Sequence, residues 1–118
     1  MSNDDTKVNV QYLVQKLVNM RIFNDESDVM NLSLIDINGS IMIISQFTLI
    51  ASTKKGNRPS YINAAKYDYA IPLYNYFINK TSSFIENPIV TGEFGANMIV
   101  SIENDGPVTI VIDSKNKE

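Results

Sequence analysis

Histidine and cysteine are both missing from the 118 residues of this chain. Without cysteine there are no disulfides, thiolate nucleophiles or Cys-based zinc sites, which fits a reducing compartment. Without histidine the chain lacks the side chain that most often acts as general acid or base near neutral pH, and the usual transition-metal ligand. No metal and no cofactor are expected. Any catalysis must draw on carboxylates, Lys, Tyr, hydroxyls, backbone amides or groups of the substrate itself. No run of about 18 apolar residues occurs, and the N-terminal MSNDDTKVNV has no basic region followed by an apolar one, so neither a membrane span nor a signal peptide is expected. The expected location is the cytoplasm, with no membrane partner. A net charge of −3 argues against a broad nucleic-acid-binding surface but leaves room for a local basic patch.

What is present suits one modest core. The chain is 44% hydrophobic, and no linker, repeat or low-complexity tract divides it, so residues 1–118 read as a single domain. Within residues 4–20, Val10, Leu13, Val14, Leu17 and Val18 recur at helical spacing behind Asp4 and Asp5, which predicts an amphipathic helix with its stripe in the core. After a polar NDESD break, MNLSLIDINGSIMIISQFTLIAS places Asn38-Gly39 between two β-prone runs and predicts a hairpin. Residues 52–65 are polar, carry Gly56 and Pro59, and predict a long ordered loop. Tyr69, Leu73 and Phe77 predict a second helix over residues 67–80, with Pro72 loosening or kinking its first turns. Strands are expected near 89–91, 98–103 and 108–112, giving a mixed α/β domain.

Three stretches could carry chemistry. Ser45, Gln46 and Thr48 of SQFTL cluster hydrogen-bonding groups where an apolar strand should leave the core, either as a site or as caps on neighbouring backbone. Lys54, Lys55 and Arg58 surround Gly56 in KKGNRPS, which can cradle phosphate or simply be a solvated loop; neither P-loop spacing nor GxGxxG is present. In NDGPVT, Asp105 is first of all a turn residue, and Pro107 is either part of an ordinary turn or the holder of an unusual backbone shape.

In combination these stretches are more specific. RIF at 21–23, MNLSL at 30–34, SQFTL, KGNRPS with a following AA, TGEFGAN-M at 91–98 and NDGPVT, in this order, resemble the D-aminoacyl-tRNA deacylases over nearly the whole chain. The resemblance implies a mixed β-sheet with a barrel-like core and two main helices. It implies a homodimeric hydrolase that cleaves the ester between a D-amino acid and the terminal adenosine of tRNA, and that accepts glycine, including glycyl-tRNA mischarged on tRNA-Ala. In such proteins the Gly-Pro peptide is cis and enters the partner's site. Gly106 and Pro107 would then offer carbonyl oxygens to the substrate's amino group and leave no room for an L side chain. Ser45, Gln46, Phe47 and Thr48 would form the catalytic wall, with amides near Phe47 and Thr48 facing the developing oxyanion and the substrate's 2′-hydroxyl assisting. Phe94 and Met98 would bind substrate, and Lys54, Lys55 and Arg58 would meet tRNA phosphate. Thr48 has no neighbouring base to make it a nucleophile.

The chain departs from the family pattern in three ways. Ser52 and Asn97 stand where the family usually has Asp, which removes two charges near the site. Family members also begin with β-structure ahead of the helix that starts here near Asp4; as written, the chain is expected to be poorly soluble or inactive, and an upstream extension to restore both. The competing expectations are an inactive remnant that keeps the fold or binds tRNA 3′ ends, and an esterase for other small aminoacyl esters.

Overall fold

The computed structural model describes residues 1–117. Two helices form its centre. Helix α1, Lys7–Asn19, starts after an extended Thr6 whose amide donates to Asn9 Oδ1 at 2.9 Å, which closes the first turn. Asp4 and Asp5 thus precede the helix instead of opening it. Val10, Val14 and Val18 of α1 are buried, and Val10 and Val14 pack against Leu73 of the second helix, α2, Tyr67–Ser82. Met1, Tyr76, Phe77 and Phe84 close over this contact. Each fully buried valine contributes about 1.5–3 kcal/mol relative to exposure, so the helix pair supplies much of the stability.

Helix α2 runs unbroken through Pro72, where a loosened or kinked start was expected. The ring forgoes one donor near the helix start, and burial of Leu73 and Tyr74 just beyond it holds the turn.

The β-structure is sparse. Strand β1, Phe23–Asn24, pairs antiparallel with β2, Met30–Leu32, and strand β3, Met42–Ile43, pairs parallel with β4, Val90–Thr91. Among the described residues no larger sheet joins these two ladders.

The expected hairpin across Asn38-Gly39 is not formed, because β2 and β3 pair with other partners. Local hydrogen bonds explain the difference. Ser33 N–H donates to Asp36 Oδ2 at 2.9 Å and Asp36 N–H donates to Ser33 Oγ at 3.1 Å, so the pair caps a turn one residue after β2 ends. Gly39 N–H then reaches the Leu34 carbonyl at 3.0 Å, with Asn38 at φ 51°. Asn87 fastens the turn from outside by donating to the carbonyls of Asn38 and Gly39 at 2.8 and 3.1 Å.

Residues 98–103 and 108–112 are likewise not strands. Their β-prone pattern is real, but a strand needs a neighbour to hydrogen-bond, and none of the described segments pairs with them. Ile99 is 99% exposed and Val111 92%. Between them the Gly106-Pro107 peptide is cis, as the resemblance implies.

The loop expected at 52–65 is ordered. Ser52 and Ser60 each donate an amide to the other's carbonyl at 2.8 Å, which closes residues 53–59 into a necked loop.

Candidate active site

The strand that leads into SQFTL ends early. β3 stops at Ile43, and Phe47–Leu49 wind into one turn of 3-10 helix. In that turn Leu49 N–H bonds the Gln46 carbonyl at 3.4 Å and Ile50 N–H bonds the Phe47 carbonyl at 2.9 Å. Among the described residues the amides of Phe47 and Thr48 donate to nothing, as the first amides of a helical turn must unless capped. Gln46 Nε2 donates to Thr48 Oγ1 at 2.7 Å, so the Thr48 hydroxyl is held by an amide and not by a base. Phe47 packs edge-on against Tyr61 with ring centroids 5.1 Å apart.

This turn forms one wall of a cleft of about 760 Å³. Ser45, Gln46 and Phe47 line it, together with Phe94 and Met98. The floor is apolar and comes from both helices, with Val10 and Leu13 from α1 and Leu73 and Phe77 from α2. Phe94 is held between two tyrosines of α2, with centroids 5.4 Å from Tyr67 and 5.2 Å from Tyr74. Burial pushes the Tyr74 phenol above its ordinary range, and its hydroxyl donates to the Ile43 carbonyl at 3.0 Å. Met98 lies over Gly92, where an added Cβ would stand 2.4 Å from its sulfur.

The structure therefore brings five of the expected residues together: Ser45, Gln46, Phe47, Phe94 and Met98. Thr48 adjoins them in the turn without lining the cleft. Gly106 and Pro107 are exposed and do not line this chain's own cleft. Lys54, Lys55 and Arg58 are exposed on the necked loop. Of the two residues that depart from the family pattern, Asn97 lines the cleft, while Ser52 serves the neck of the loop.

Sequence reasoning missed Tyr67 and Tyr74 as site residues and read them only as helix. Their spacing of seven residues, two turns on one side of a helix, was the available signal. Among the described residues no three acidic side chains gather as a metal site, and no helix is long and apolar enough to cross a membrane.

A family model described as D-Tyr-tRNA(Tyr) deacylase matches residues 1–113. A D-aminoacyl-tRNA deacylase of Phocaeicola vulgatus is 56% identical over 114 residues, which are 97% of this chain and 76% of that one. Its counterpart in Flavobacterium johnsoniae is 57% identical with the same shares covered. Of solved structures, a c-Myc DNA unwinding element binding protein superposes with a TM-score of 0.86 at 38% identity, over 93% of this chain and 74% of that one. A probable eukaryotic D-amino acid tRNA deacylase superposes with a TM-score of 0.66 at 17% identity, over 82% and 72%, a likeness of fold alone.

Proposed function

This chain belongs to the D-Tyr-tRNA(Tyr) deacylase family, and from that premise we propose that it is a homodimeric cytoplasmic enzyme hydrolysing the ester of D-aminoacyl-tRNA, glycyl-tRNA mischarged on tRNA-Ala included. The observation that carries the reading is the cleft itself, lined by Ser45, Gln46 and Phe47 together with Phe94 and Met98, beside a turn whose Phe47 and Thr48 amides donate to nothing among the described residues.

The chemistry follows from what the site contains. The aminoacyl ester lies with its carbonyl oxygen toward the Phe47 and Thr48 amides. Water adds to the carbonyl carbon, and its proton passes by way of the ribose 2′-hydroxyl. The two amides take up the negative charge of the tetrahedral intermediate. Collapse then expels the 3′-oxygen, which receives the proton. One well-placed oxyanion donor is worth about 10²–10³ in rate, so two amides and a substrate hydroxyl offer a route that needs neither histidine nor cysteine.

Chirality is assigned to the partner subunit. Gly106 and Pro107 of each protomer enter the other's cleft, and their carbonyl oxygens bind the substrate's amino group and exclude an L side chain. The exposure of both residues and their position outside their own cleft support this arrangement. Lys54, Lys55 and Arg58 meet phosphates of the acceptor end.

The test is complementation between subunits. Purified protein, extended upstream where the chain as written is poorly soluble, should deacylate D-Tyr-tRNA and spare L-Tyr-tRNA. A Gly106→Ala chain and a Phe94→Ala chain should each be impaired, and random pairing of the two should restore roughly a quarter of wild-type activity, because half the dimers carry one intact composite site. No recovery on mixing would refute the cross-subunit site. Binding of tRNA 3′ ends without hydrolysis by the wild-type chain would favour the inactive remnant.

A further inference from the structure

We infer that Tyr74 is a positioning residue that ties together two stretches lining the cleft, its hydroxyl holding the segment that leads into Ser45–Phe47 and its ring holding Phe94. The catalytic consequence rests on the deacylase reading; the positioning itself rests on geometry alone.

The geometry has two ends. At one, the Tyr74 hydroxyl donates at 3.0 Å to the carbonyl of Ile43, the last residue of β3 and two positions before Ser45. At the other, the Tyr74 ring meets Phe94 at 5.2 Å with the planes inclined by 52°, while Tyr67 meets the same ring at 5.4 Å and 69°. Edge-to-face and tilted contacts of this kind are favourable and directional, so they fix the orientation of Phe94 as well as filling space. Gly95 makes the close approach feasible. It sits at φ +77°, and an added Cβ would lie 3.2 Å from Tyr67 Cε2.

Tyr74 itself is 6% exposed, on a helix whose Leu73 is already locked against α1. Burial keeps its phenol protonated, and therefore a donor, well beyond neutral pH. A tyrosine has only two side-chain torsions, so with its backbone fixed by α2 it sets the spacing between the two points it touches. Oxyanion donors must be held within about 0.5 Å of the productive position, so slack in the 44–48 wall shows in the chemical step before it shows in binding.

The two ends of Tyr74 separate by substitution. Tyr74→Phe keeps the ring and removes the hydroxyl; Tyr74→Leu removes both. In the full chain, NMR order parameters for residues 44–48 should fall in Tyr74→Phe from about 0.85 toward about 0.6, with residues 94–98 and α1 unchanged. Tyr74→Leu should loosen both 44–48 and 94–98. Single-turnover deacylation of D-Tyr-tRNA by Tyr74→Phe should drop about tenfold, with affinity for the non-hydrolysable 3′-amide analogue of D-tyrosyl-adenosine held within about twofold. Unchanged order at 44–48 in Tyr74→Phe overturns the inference, as does loosening that extends equally to α1 or an unchanged single-turnover rate. A wild-type chain that never deacylates defeats the proposed function instead, and the order parameters still decide the positioning claim.

Discussion

Gly92→Ala tests the cleft with a single methyl group. Gly92 has no positive φ, so alanine brings no backbone strain and the effect is steric. The added Cβ would stand 2.4 Å from Met98 Sδ, 3.3 Å from Met98 Cε and 3.2 Å from Ile44 Cδ1. Ordinary contact is about 3.5–4.0 Å, so the sulfur must retreat by about 1 Å or more. Met98 lines the cleft, so its displacement reshapes the cleft. A thioether on three rotatable bonds yields cheaply, which puts the stability cost near about 1 kcal/mol, the low end for overpacking. In a domain of this size that lowers Tm by roughly 4 °C. Activity should suffer more than stability. We expect kcat/KM for D-Tyr-tRNA to fall about tenfold, or about 1.4 kcal/mol, and for glycyl-tRNA to fall less, since glycine puts no side chain against the reshaped wall. Met98→Ala in the Gly92→Ala background should recover most of the loss, a coupling expected only of groups in contact. Steady-state deacylation with both substrates, alongside thermal melts of the two single variants and the double, decides the matter. A Gly92→Ala enzyme with wild-type rates, or a loss that Met98→Ala leaves untouched, would refute the reasoning.

Other perturbations address the remaining parts. Thr48→Ala removes an acceptor held by Gln46 Nε2 and should cost about tenfold or less in kcat, whereas trapping an acyl group on Thr48 by mass spectrometry would establish it as a nucleophile. Gly106→Ala places a side chain at φ +112°, a region costing about 1–3 kcal/mol outside glycine; Tm should fall by no more than that strain implies while D-Tyr-tRNA hydrolysis drops by at least about tenfold, and an unchanged rate would remove Gly106 from the site. Asp25 and Asp36 have pKa values lowered mainly by backbone amides, from Val29 and from Ser33, and Asp4 has one lowered mainly by Lys115. Their folded-state values lie below the ordinary 3.8, so their contribution is present above that pH and is lost as the pH falls through the folded values. Thermal melts from pH 6 to pH 2 should show that acid limb, and it should be shallower in Asp25→Asn; equal limbs would show that this carboxylate is not coupled to folding.

The helices were legible in the sequence because their signal is local. Val10, Val14 and Val18 announce their own face, and α2 is continuous through Pro72 and ends two residues beyond the expected Lys80. Strands are not local. The runs either side of Asn38-Gly39 have the composition of a hairpin, yet the reciprocal bonds of Ser33 and Asp36 end β2 early and divert the chain, and nothing in an alternation pattern prices that alternative. Residues 98–112 show the same limit from the other side, since β-propensity describes a surface that fits a neighbour and cannot supply one. For the site, the motif order found Ser45, Gln46, Phe47, Phe94 and Met98, which the fold brings to one cleft from far apart in the chain. Tyr67 and Tyr74 were hidden because a tyrosine on a helical stripe looks the same whether it fills a core or orients a neighbouring ring.

The neck between Ser52 and Ser60 has a consequence for how the chain would meet a polyanion. Two mutual amide bonds at 2.8 Å fix the ends of the loop that carries Lys54, Lys55 and Arg58, so the backbone under these charges is ordered when the domain folds and not when a ligand arrives. Association through them should then look like counterion exchange with little accompanying disorder-to-order signal. For three phosphates of a single strand the logarithm of the binding constant should fall with the logarithm of salt at a slope of about −2, with a small heat-capacity change. Opening the neck with Ser60→Pro, which deletes one of the two donors, should leave that slope in place, because the charges remain, and lower the affinity at every salt concentration.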